Sequence, residues 1–270
     1  EQASSLNCMG ELCIKLTRFE DAKEYYSRAV LIDCKSEVKS KALHGLGRAY
    51  MQLKDFSNAR VYFEKALTFR RLLKDTEGEL DSLSNLAVAC KKLNSYNAAI
   101  TYFEESSKMI LELFKKPSPD ANAKNLQFEK LKSLCKHMQA CYVSINMNDK
   151  ALESVERERI LSVMKPGVNH CYTPHLTNDD FLTYSEMHAV ARKMNSYFII
   201  YSLNSNNVNT WLIKPQTIKL TFVSVPIASV LGEHSIQHLL DFIHIFSSNA
   251  QYNSQVQFCN TLTQLYKLLM

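Results

Sequence analysis

Three stretches of this chain superimpose without a gap, and nothing else in it restricts the possible folds so strongly. They are MGELCIKLTRFEDAKEYYSRAVLID from Met9, LGRAYMQLKDFSNARVYFEKALTFR from Leu46 and LAVACKKLNSYNAAITYFEESSKMI from Leu86. Each opens with an apolar residue and a small one: Met9-Gly10, Leu46-Gly47 or Leu86-Ala87. An aromatic follows in a turn (Phe19, Phe56, Tyr96), then a small residue (Ala22, Ala59, Ala99), then a second aromatic four further on (Tyr26, Phe63, Phe103). Ala29 and Ala66 close the first two units. Antiparallel helix packing explains the spacing. A small residue at a crossing lets two backbones approach, and the aromatic four residues later fills the space above it on the same face. One helix pair cannot bury that face alone, whereas stacked pairs can, so the repeat predicts an α-solenoid.

This order of Leu-Gly, aromatic, Ala, aromatic, Ala resembles the tetratricopeptide repeat, over Ala3 to about Leu113. The period is 37 and then 40 residues, where about 34 is usual, and the Pro that often ends the second helix is missing. FRRLLKDTEGE places the extra residues in a longer second helix, with Gly78 helping to break it. A fourth, degenerate unit, LCKHMQACYVSINMNDKALESVERE, keeps Tyr142, a turn over Asn146 to Asp149 and Ala151. It has Gln139 in the small position and Val155 in the aromatic one, as in a capping repeat. Before it, KKPSPDANAKNLQ is expected to be a loop because of its two prolines.

The resemblance implies a groove lined by the first helix of each hairpin, where extended or helical peptides dock. Its candidate lining is Asn7, Glu11 and Lys15, then His44, Arg48 and Gln52, then Ser84, Asn85, Val88 and Lys92. The signs are mixed. Glu11 and Asp81 would repel a terminal carboxylate, and only Arg48 and Asn85 fit a clamp for one loosely. The expected partners are proteins or peptides, and no cofactor is implied.

Net charge is +5, with 26 Lys/Arg against 22 Asp/Glu up to Met164 and 6 against 5 beyond it, so neither half carries the basic field of a nucleic-acid binder. No window approaches a membrane-spanning apolar run. Of the eight cysteines, Cys8, Cys13, Cys90 and Cys141 lie in apolar helical stretches and are expected to be small core residues of a reduced, cytoplasmic protein. The start lacks an initiator Met and the end falls within an apolar-periodic stretch, so the chain reads as a fragment.

The repeats are expected to fill 1–162, followed by a linker at 163–177 containing MKPGVNHCYTPH. His170, Cys171 and His175 there lack the further ligands of a zinc site. From 178 the pattern changes. NDDFLTYSEMHAVARKMN predicts a helix capped by Asn178 or the Asp residues after it. SYFIIYSLNSNNVNTWLIKP predicts a β-hairpin turning at Asn204 to Asn207, and Thr217 to Pro226 a third strand. Two helices are predicted after that. A helix, strands and helices in this order resemble the N-terminal part of the caspase-like, tetratricopeptide-associated (CHAT) domain, on IIYS, TWLIKP and LTQLYKLLM. The implied fold is mainly α: a solenoid of helix hairpins followed by a partial α/β caspase-like domain over 178–270. The family's catalytic His and Cys motifs are not in this chain, and His234, His238, His244 and Cys259 read as ordinary helix residues, so no catalytic or metal residue is assigned. The resemblance to large animal members with long repeat arrays, the twenty-eight type, implies a cytoplasmic scaffold in cell division or cytoskeletal organisation. The alternative is the substrate-recruiting part of a cysteine protease.

Overall fold

The computed structural model describes residues 1–115, 121–163, 181–203 and 207–226. The chain divides into two compact units, Glu1–Phe181 and Leu182–Met270.

The first unit is a row of helix hairpins: α1 (Gln2–Lys15), α2 (Phe19–Leu31), α3 (Ser36–Gln52), α4 (Phe56–Leu73), α5 (Thr76–Lys92), α6 (Tyr96–Lys115), α7 (Ala121–Ser144) and α8 (Asn148–Val163). Each helix packs against the one before and the one after it, and the first helices also touch along the row, α1 on α3, α3 on α5 and α5 on α7. The turn inside each hairpin has one form. Thr17, Lys54, Asn94 and Asn146, at one register of the repeat, all have φ near +60°. The next residue's N–H reaches back to a carbonyl of the closing turn: Arg18 to Cys13, Asp55 to Tyr50, Ser95 to Cys90 and Met147 to Tyr142. This is the left-handed helix stop that glycine usually occupies, built here without one.

The repeated aromatics are the core of the stack. Tyr26, Phe63 and Phe103 are buried. A Cβ added to Gly10 would meet the Tyr26 ring at 2.7 Å, and one on Gly45 of the following helix would strike the same ring. Gly47 stands in the same relation to Phe63. The small residue is therefore less a point of backbone contact than the seat of a ring. The register also shows which face the stacking covers. Leu46 and Leu86 are 2% and 0% exposed, whereas Met9 at the same position of α1 is 43% exposed. Ala49 and Ala89 are fully buried, and Leu12, their counterpart, is 49% exposed.

Three expectations about the first unit need correction. Gly78 does not break α4; that helix stops at Leu73, with Lys74 left-handed and Asp75 capping α5 by accepting the Gly78 N–H at 3.0 Å. Gly78 lies within the first turn of α5, where a side chain would collide with Asp75 and Arg70. Ala121 to Gln127 belongs to α7, not to a loop, because the prolines lie N-terminal to it. Cys8 is exposed, since its register faces the uncovered side of α1, while Cys13, Cys90 and Cys141 are buried thiols.

The second unit contains α9 (Tyr184–Met194) and the antiparallel sheet β1-β2-β3, formed by β1 (Phe198–Leu203), β2 (Asn207–Lys214) and β3 (Thr217–Pro226). The helix starts at Thr183 instead of near Asn178, because Thr183 and Glu186 form a reciprocal capping box. Trp211 is fully buried in the central strand, opposite Ile200 and Phe222. His188 donates to the Thr217 carbonyl at 3.0 Å, and the Tyr184 hydroxyl to that of Ile218. Asn207 opens β2, so it is not part of the hairpin turn. The remainder of that turn, the linker histidines with Cys171, and the two helices expected after β3 lie outside the described residues.

Substitution at two positions tests this account. Lys54→Gly is expected to stabilise the chain by about 0.5–1 kcal/mol in urea denaturation, because relief of the left-handed strain exceeds the entropic cost of glycine there. Gly47→Ala is expected to destabilise it by about 1–2 kcal/mol: alanine's helix propensity contributes about 1 kcal/mol, less than the cost of displacing the buried Phe63 ring.

Candidate functional site

The row of first helices brings the predicted groove residues onto α1, α3 and α5, and the structure sorts them into three groups. Lys15, Gln52 and Lys92 are exposed. Ser84 and Val88 are half-buried. The others are engaged within the fold. Asn7 donates to the Val38 carbonyl at 3.0 Å, tying α1 to α3. Glu11 accepts from Arg48 at 2.7 Å and from the Tyr26 hydroxyl at 3.1 Å, joining α1, α2 and α3. Asn85 donates to the Asp81 carbonyl one turn earlier, at 2.8 Å.

His44 is enclosed. Its ring lies 5.3 Å from that of Phe63, and its Nδ1 faces the Arg70 guanidinium at 3.2 Å and the Ser82 hydroxyl at 3.4 Å. Arg70 is itself buried and donates to Ser82 Oγ at 2.9 Å and to the Gly78 carbonyl. Burial, with the positive charge of Arg70 next, pushes the His44 pKa down to about 3. The imidazole is therefore a neutral acceptor that helps pin α3, α4 and α5 together.

The step from the third hairpin to the fourth has its own bridges. Lys130 of α7 pairs with Asp81 of α5 at 3.1 Å, and the Tyr142 hydroxyl donates to Glu104 of α6 at 2.7 Å. Lys91 approaches His137 Nδ1 at 3.2 Å, and the His137 ring stacks on Phe103 with centroids 5.5 Å apart. Burial first, then Lys91 and Lys92, lowers the His137 pKa to about 4. Arg70, Ser82, Lys91 and His137 were not among the predicted residues. His137 was within reach of register alone, because it stands where Gly45 and Asn85 stand in earlier units, against the preceding aromatic. Arg70 carried no such signal.

Comparison with known proteins agrees with this geometry. Residues 1–72 and 38–112 each match the sequence profile of the tetratricopeptide repeat. Residues 1–112 carry tetratricopeptide repeats. Outer dynein arm-docking complex subunit 4 of Danio rerio is 26% identical over 134 residues, which are 50% of this chain and 26% of that protein. The Xenopus laevis protein of the same name is 26% identical over 120 residues, 44% of this chain and 23% of that one. The chain thus spans about a quarter of the length of these relatives. Aspartyl phosphate phosphatase F of Bacillus subtilis superimposes with a TM-score of 0.50 at 15% identity, covering 62% of this chain and 43% of that one, a likeness of fold alone. Proteins built on this repeat bind protein or peptide partners. Among the described residues no helix is long and apolar enough to cross a membrane.

The two enclosed histidines set an acid limit. The unfolded chain protonates them near the ordinary pKa of 6.5, while the native state holds them neutral down to about 4 and 3. Protons therefore favour the unfolded state, and stability is expected to fall as pH drops from 6.5 towards 4. Thermal melts of His44→Gln should show a shallower decline over that window than the wild-type chain.

Proposed function

We propose that this protein is an interaction scaffold whose first-helix face binds a segment of a partner protein. The observation that carries the proposal is the division of labour among the first helices. Their core positions are spent on stacking, while Lys15, Gln52 and Lys92 recur at one register of α1, α3 and α5 and stay exposed. A row of long polar side chains at one spacing suits an extended or helical segment better than a small molecule. The partners we propose are components of a cytoskeletal motor assembly. The support is the similarity to the dynein arm-docking subunits, and the place of action is then the cytoplasm, at the cytoskeleton.

For residues 178–270 we propose the N-terminal part of a caspase-like, tetratricopeptide-associated module serving as a docking element, after repeats over 1–162 and a linker at 163–177. The support is the order of helix and strands behind a repeat array, with IIYS in β1 and the TWLIKP stretch in β2 and just after it resembling the family's paired strands. The kinship with large animal scaffolds of long repeat arrays stands as part of the same proposal. The protease alternative draws no support.

A peptide library displayed on phage and panned against the 270-residue chain is expected to enrich a recognisable sequence pattern. Binding of the enriched peptides should weaken at least about tenfold in Lys15→Glu/Gln52→Glu, equivalent to about 1.4 kcal/mol, with the melting temperature unchanged. Lys65→Glu, on α4, should leave binding as it was. Equal losses from Lys65→Glu, or no enrichment, would remove the groove.

A further inference from the structure

We draw no further inference here: the strongest candidate, the outer edge of β1, a six-residue run free of charge, proline and bulge, carries no proposal because nothing in the structure shows what covers it.

Discussion

A phenol ring wedged between two glycines carries much of this architecture. Tyr26 of α2 lies against Gly10 of its own hairpin and Gly45 of the next, so one side chain sets the spacing within a hairpin and between hairpins. Phe63 against Gly47 and Phe103 under His137 repeat the arrangement with local variations. The energy is that of ordinary aromatic burial, but the geometry admits little adjustment, since a methyl group at either glycine occupies the ring's space. Small residues on one helix thus dictate which residue the following helix presents.

Polar contacts add direction to that apolar stack. Each step carries a bond joining three helices: Glu11 with Arg48 and Tyr26, Arg70 with His44 and Ser82, and the paired bridges of Lys130 and Tyr142 to Asp81 and Glu104. Apolar packing alone tolerates rotation of one hairpin on the next, whereas a hydrogen bond between fixed donors and acceptors does not. Several residues that a family pattern assigns to the binding face are spent in this way. Of the positions that the pattern assigns, those left exposed are the long side chains Lys15, Gln52 and Lys92 at the helix ends.

The repeat itself was legible because its signal is periodic. Ring, small residue and apolar residue recur at fixed intervals, and every copy reinforces the others. What was misread depends on single residues without periodicity. Gly78 resembles a helix stop, yet serves as a gap for Asp75 and Arg70, while the true stop at Lys74 has no glycine to announce it. Thr183 and Glu186 form a capping box inside a stretch whose Asn and Asp residues advertise an earlier start. His44 has the register of a groove residue, but a buried arginine from α4 draws it inward. Long-range pairing of this kind follows from the fold and has no local trace. In the second unit, alternation and β-branching marked β3 to the residue, since a strand's signal is local.

α3 and α5 are held from both sides, α3 between α1 and α5 and α5 between α3 and α7, so exposing their amides requires parting two sets of packed side chains. Leu46 and Ala49 on one helix and Leu86 and Ala89 on the other lie in those seams. Slow amide exchange is then a joint property of the two helices instead of one that each holds alone.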